Sequence, residues 1–138
     1  MTLTIQAGAN ATSGTAGVTF GATTLNNNSP TFTVNNNVGG VTTLLTLGAI
    51  ANSDFTPIFN GNGNVTLSGI VGGGNGGIIM NGTGTLTLSA ANTYTGPTTI
   101  NSGTVTLGNA TGLGAAATAN VFLAGGAVLN LAAISPTV

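Results

Sequence analysis

Four tetrapeptides of the form apolar, Thr, apolar, small recur along the chain: Leu45-Thr46-Leu47-Gly48, Val65-Thr66-Leu67-Ser68, Leu86-Thr87-Leu88-Ser89 and Val105-Thr106-Leu107-Gly108. Their first residues stand 20, 21 and 19 positions apart. A looser copy, Leu129-Asn130-Leu131-Ala132, follows 24 residues later, after the insertion-like run Ala115-Ala116-Ala117-Thr118. Within each copy the alternation has period 2, so the apolar pair lies on one face of a strand and Thr on the other. Thr and Val are poor helix formers, and Gly recurs too often for helices.

A second column runs ahead of the first: Phe59-Asn60-Gly61, Met80-Asn81-Gly82 and Ile100-Asn101-Ser102-Gly103, with Leu123-Ala124-Gly125 as a weaker fourth. Asn and Gly tolerate the left-handed backbone conformation, so this column predicts a repeated corner feeding a repeated strand. Near-identical strands about 20 residues apart predict stacking in parallel. That period marks a solenoid in which each copy makes one coil and buries its apolar face only against its neighbours. The expected architecture is an all-β, parallel β-helix of about six coils in a single domain over residues 1–138.

Residues 45–138 carry the regular repeat and residues 1–44 are less regular. There the same strand type appears as Leu3-Thr4-Ile5, Val18-Thr19-Phe20 and Phe32-Thr33-Val34, spaced 15 and 14. Those spacings predict either shorter coils or a cap with antiparallel pairing, with Asn26-Asn27-Asn28 and Asn35-Asn36-Asn37 as turns. The rival fold is an antiparallel sandwich, in which Asn60-Gly61, Asn75-Gly76 and Asn81-Gly82 would be hairpin turns. Hairpins alone do not require equal spacing or a repeated Asn column, which favours the solenoid.

Residues 89–108 read Ser-Ala-Ala-Asn-Thr-Tyr-Thr-Gly-Pro-Thr-Thr-Ile-Asn-Ser-Gly-Thr-Val-Thr-Leu-Gly. With Leu86 and Leu88 ahead of it, this stretch resembles the autotransporter-associated β-strand repeat. Ala90 stands where that family usually has Gly, and Pro97 where it has the second Gly of a pair. Residues 58–69 and 123–132 resemble the strand portion, and the first third resembles it only in texture. The resemblance implies a right-handed parallel β-helix in the exported, surface-displayed passenger region of large bacterial proteins, and it implies no catalytic residue. The membrane-embedded translocator barrel that many members carry is not in this sequence, so attachment and export do not carry over.

Composition narrows the chemistry. Lys, Arg, His and Cys are absent, and Asp54 is the sole acidic residue of 138. General acid–base work needs a titrating group near the operating pH, and a hydroxyl nucleophile needs a base beside it, so no catalytic residue is expected. No transition-metal site or cofactor is expected either, because imidazole and thiolate ligands are missing. Asp54, in Asn52-Ser53-Asp54-Phe55-Thr56-Pro57, reads as a turn residue; as a lone carboxylate it would bind Ca²⁺ weakly. Gly72, Gly74 and Gly77 formally satisfy G-x-G-x-x-G, but Ile78-Ile79-Met80 follows where a helix N-terminus should receive phosphates, which favours a corner loop. Nucleic acid is not an expected partner, since no cation is available to displace counterions.

Gly112 to Ile134 is uncharged and long enough to span a membrane, yet it contains Asn120, Asn130 and Gly125-Gly126 and has no flanking cation, so no span is expected. One Tyr, no Trp and five Phe do not make the aromatic girdles of an outer-membrane barrel. Met1-Thr2-Leu3-Thr4-Ile5 lacks the cationic start of a secretory signal. Without Cys no disulfide supports the fold. Asn-x-Ser/Thr sequons occur at Asn10, Asn27, Asn64, Asn81 and Asn109.

Thr-x-Thr recurs at Thr2/Thr4, Thr31/Thr33, Thr85/Thr87, Thr93/Thr95 and Thr104/Thr106. Outward Thr on stacked strands could order water or bind ice, although β-branched Thr also simply suits exposed strand positions. Both ends of a solenoid expose strand edges, and this chain has no Lys, Arg or Glu to blunt them. The expected partners are therefore copies of itself stacked end to end, or further coils of a longer β-helix, with an Asn60, Asn81, Asn101 ladder strengthening the stack. The expected role is a non-catalytic extracellular or bacterial cell-surface stalk or self-assembling fibre subunit. The alternatives are an adhesive passenger segment binding glycans or cells, and a Thr-array ice-binding module.

Overall fold

A computed structural model describes residues 1–115, 120–132 and 134. Among the described residues there is no helix. The first long sheet stacks β1 (Thr2–Gln6), β4 (Thr31–Asn35), β7 (Ile58–Asn60), β10 (Ile78–Met80), β12 (Thr98–Ile100) and β14 (Val121–Leu123), in that order. The second stacks β2 (Gly14–Phe20), β5 (Val41–Leu47), β8 (Asn64–Leu67), β11 (Thr85–Leu88), β13 (Thr104–Leu107) and β15 (Val128–Asn130). A short third sheet holds β3 (Thr23–Thr24), β6 (Ile50–Ala51) and β9 (Val71–Gly72). Every strand pair in these sheets is parallel, which excludes the antiparallel sandwich. The chain is a β-solenoid of about 5 turns, close to the six coils expected.

The repeat columns stack as the spacing demands. Leu45 lies over Val65, Val65 over Leu86, Leu86 over Val105 and Val105 over Leu129. Leu47, Leu67, Leu88 and Leu107 form the next column in register. From the first sheet, Phe32, Phe59, Met80 and Ile100 face them across the interior. Phe32 and Phe59 stack with ring centroids 5.5 Å apart and planes at 16°. These side chains are buried in one continuous core, and each coil is only one strand thick, so the dry interior exists only where coils cover one another.

The first third corrects the expectation of short coils or an antiparallel cap. Leu3 pairs with Phe32, and Val18 with Leu45, both in parallel ladders. The 15- and 14-residue spacings are steps between two sheets of one coil, not steps between coils. These coils are longer than 20 residues, because the connections after β1 and β4 take more chain than the corner after β7. The candidate span 112–134 holds β14 and β15, and no helix among the described residues is long and apolar enough to cross a membrane. Ala116, Ala117 and Thr118 of the insertion-like run lie outside the described residues.

At the corners the expected left-handed backbone falls to Gly alone. Gly61 and Gly103 have φ of 92° and 69°, whereas no corner Asn has positive φ. Gly82 keeps an ordinary φ; an added Cβ there would press on the backbone of Asn60 and Gly61 in the coil beneath. Close coil-on-coil approach therefore accounts for that glycine, and the corner Asn residues serve as hydrogen-bonding groups.

Candidate functional site

The two sequence features nearest to familiar site chemistry are structural. Asp54 is exposed in a turn closed by a bond from the Phe55 N–H to the Asn52 carbonyl (2.8 Å), and Asp54 Oδ1 accepts from the Asn75 N–H (3.2 Å). The Gly76 N–H donates to the Ser53 carbonyl (3.1 Å) and the Gly77 N–H to Thr56 Oγ1 (3.0 Å). Three N–H groups of the G-x-G-x-x-G stretch are thus occupied by the preceding coil and do not form a phosphate cradle. Its glycines answer to packing: a Cβ on Gly76 would overlap the Phe55 carbonyl, and one on Gly77 the Pro97 carbonyl. Among the described residues no three His, Cys, Asp or Glu side chains gather as a metal site.

Where the third sheet stops after β9, one buried side chain carries the ladder on. Asn92 Oδ1 accepts from the Val71 N–H (2.8 Å), and Asn92 Nδ2 donates to the Gly112 carbonyl (2.7 Å). A single amide thereby joins three successive coils. Beside it Tyr94 is fully enclosed, its hydroxyl 2.6 Å from Thr98 Oγ1. Burial pushes the Tyr94 phenol up to about 12, against a smaller downward pull from the Thr98 hydrogen bond. Both residues lie in the Asn-Thr-Tyr stretch that carries the family resemblance, and no separate pattern along the chain marks Asn92 as a bridge.

Hydroxyls dominate the outer face of the second sheet. Thr19, Thr46, Thr66, Thr87 and Thr106 form one in-register column that ends on Asn130. Thr85/Thr87 lies over Thr104/Thr106, and on the first sheet Thr2/Thr4 lies over Thr31/Thr33. Thr93/Thr95 falls outside the strands. The expected Thr-x-Thr lattice is therefore two separate patches, one on each long sheet.

The corner between the long sheets steps inward where the connection shortens after β7, and the step forms a shallow trough of about 510 Å³. Asn35, Asn37, Asn62, Asn81 and Thr83 line it. Asn36 and Asn62 brace it: the Asn36 N–H donates to Asn62 Oδ1 (2.7 Å) and Asn36 Nδ2 to the Asn62 carbonyl (3.0 Å). Asn101 Nδ2 donates to Asn81 Oδ1 (2.7 Å), which is the one rung of the expected Asn ladder; Asn60 Oδ1 is buried without a partner. Of the sequons, Asn10, Asn27 and Asn81 are exposed, whereas Asn64 Oδ1 accepts from the Thr85 N–H (3.1 Å) and Asn109 Oδ1 from the Thr111 N–H (3.0 Å).

The two ends differ from the flank. At the first coil an apolar cavity of about 350 Å³ opens between Leu3, Phe20, Leu25, Phe32 and Leu47. At the last coil Phe122, Leu123, Val128 and Leu131 are exposed. No curated protein and no solved structure matches the chain. Residues 78–107, which run from β10 through Asn92 and Tyr94 to the end of β13, match the model of the passenger-associated-transport-repeat family, and this part of the solenoid is an autotransporter-passenger-like repeat.

Proposed function

We propose that the chain is a stretch of an exported, surface-displayed β-solenoid stalk whose role is structural and non-catalytic. The observation that carries this reading is the passenger-type match at residues 78–107, set in ladders that continue in register through the coils on either side. A flank without cations, closed by neutral amides and hydroxyls, gives proteases such as trypsin no cleavage site and suits exposure to changing ionic conditions. The test is immunolabelling of intact source cells before and after external protease treatment. Labelling on unbroken cells is expected; antigen found only after lysis overturns the reading.

The adhesive alternative has one specific support, the amide-lined trough beneath Asn35 and Asn37. Uncharged donors and acceptors there match a neutral saccharide better than an ionic ligand. Titration with neutral oligosaccharides, followed through the Asn37 and Asn81 amide resonances, separates an adhesive segment from an inert spacer. The ice-binding alternative rests on the Thr column of the second sheet, and a thermal-hysteresis measurement at high protein concentration decides it.

A further inference from the structure

Four Asn-Gly pairs stand along the middle coils: Asn60-Gly61, Asn62-Gly63, Asn75-Gly76 and Asn81-Gly82. Asn followed by Gly is the dipeptide most prone to succinimide closure, because no side chain on the second residue shields its nitrogen. That nitrogen attacks the Asn Cγ: the N–Cγ bond forms, the Cγ–Nδ2 bond breaks, and the amide leaves as ammonia with the proton of the Gly N–H. Water then opens the ring at either carbonyl. One product is Asp; the other routes the main chain through Cβ and lengthens it by a single atom. Either brings a carboxylate into a chain whose sole acidic residue is Asp54.

The stack both requires these pairs and ties down their reacting groups. Gly63, Gly76 and Gly82 are buried, and a Cβ on them would press on the Val34 side chain, the Phe55 carbonyl and the Gly61 carbonyl. Asn62, Asn75 and Asn81 are exposed, so solvent reaches their amides; Asn60 is half-buried with Oδ1 enclosed. At each exposed pair the nucleophile is engaged. The Gly63 N–H donates to the Val34 carbonyl (2.8 Å), Gly76 to Ser53 (3.1 Å) and Gly82 to Phe59 (3.0 Å). The electrophile is held as well: Asn62 Oδ1 accepts from the Asn36 N–H (2.7 Å), Asn75 Oδ1 from Thr95 Oγ1 (2.9 Å) and Asn81 Oδ1 from Asn101 Nδ2 (2.7 Å). Closure needs the Gly nitrogen to lose its proton and turn towards Cγ, and these bonds fix the two groups on different partners. We propose that coil stacking, through these bonds, blocks succinimide closure at Asn62, Asn75 and Asn81, which are modification sites of the unfolded chain alone. Conversion at them records the time a chain spends unstacked. The block follows from the stack itself and holds wherever the chain is displayed.

The test incubates the full chain in mildly alkaline buffer made with oxygen-labelled water, folded in one arm and unfolded by urea in the other. Label entering each Asn is read by mass spectrometry of thermolysin peptides. The unfolded chain is expected to convert at all three sites, and the folded chain to convert at least about a hundredfold more slowly. Two variants address single sites: Thr95→Val frees Asn75 Oδ1, and Asn101→Ala frees Asn81 Oδ1. Each is expected to keep the wild-type circular dichroism spectrum and to raise conversion several-fold at its own Asn, with the other two sites unchanged. Folded wild type that converts at any of the three within about tenfold of the unfolded rate overturns the proposal. So does an unfolded chain that stays unconverted. Variants that convert no faster at the freed Asn, or equally faster at all three, overturn the assignment of the block to these bonds.

Discussion

Single side chains hold neighbouring coils together in two ways, by filling the interior and by completing the ladder. Leu86 does the first: it is fully buried between Val65 and Val105, and the one-strand wall has little material with which to collapse onto a void. Leu86→Ala should cost about 2–5 kcal/mol in urea unfolding monitored by circular dichroism. Asn92 does the second. Asn92→Ala strips partners from the Val71 N–H and the Gly112 carbonyl at once, which should cost about 2–4 kcal/mol by the same measurement. Tyr94 adds a pH dependence of known sign. Its folded pKa, near 12, lies above the ordinary value of 10.0 because burial disfavours the phenolate. The unfolded chain therefore loses this proton first as pH rises. The stability it contributes is complete below pH 10 and is lost as pH climbs towards 12, by roughly 2–3 kcal/mol. Unfolding measured across that window should show the decline in wild type and a loss of it in Tyr94→Phe.

At the scale of strands and corners, tight stacking governs what the sequence can hold. Gly76 has its position for a Cβ filled by the Phe55 carbonyl of the coil before it, so Gly76→Ala must push two coils apart. A cost of about 1–3 kcal/mol is expected from thermal unfolding, with the fold retained. Exchange of backbone N–H groups should be graded along the axis. β8 and β11 have partners on both sides and should be the slowest to exchange, while β14 and β15 have one partner each among the described residues and an exposed apolar face, and should be the fastest. Hydrogen-exchange mass spectrometry that finds the terminal strands as protected as β8 would contradict this gradient. The same physics explains how much could be read in advance. From Leu45 onward each coil reuses one length and one apolar pair, so spacing alone placed Val65, Leu86 and Val105 in a single column. Before Leu45 the connections lengthen, and the spacings of Leu3, Val18 and Phe32 are half-coil steps from one long sheet to the other, which hide the full period. The bridging of Asn92 was hidden for another reason. A buried amide and an exposed turn amide are the same letters, and what separates them is the end of the third sheet after β9, which no local pattern announces. The trough at Asn35 and Asn37 was equally silent, since it arises from the difference in length between adjacent corners.

For the molecule as a whole, one kind of contact is repeated from coil to coil, and charge hardly enters it. Asp54 is the only charged side chain, and it is engaged with Asn75 on the flank, away from the terminal coils. The contact between coils consists of apolar columns and backbone ladders. Its strength should therefore change little when sodium chloride is raised from low to molar concentration, because there is almost no ionic interaction to screen. Urea, which solvates both apolar and peptide groups, should lower the thermal unfolding midpoint, while sulfate, excluded from the protein surface, should raise it. Thermal unfolding followed by circular dichroism over the three series checks this. A steep response to sodium chloride with none to urea would mean that charged groups such as Asp54 hold the coils together, and that the columns of Leu45, Val65 and Leu86 do not.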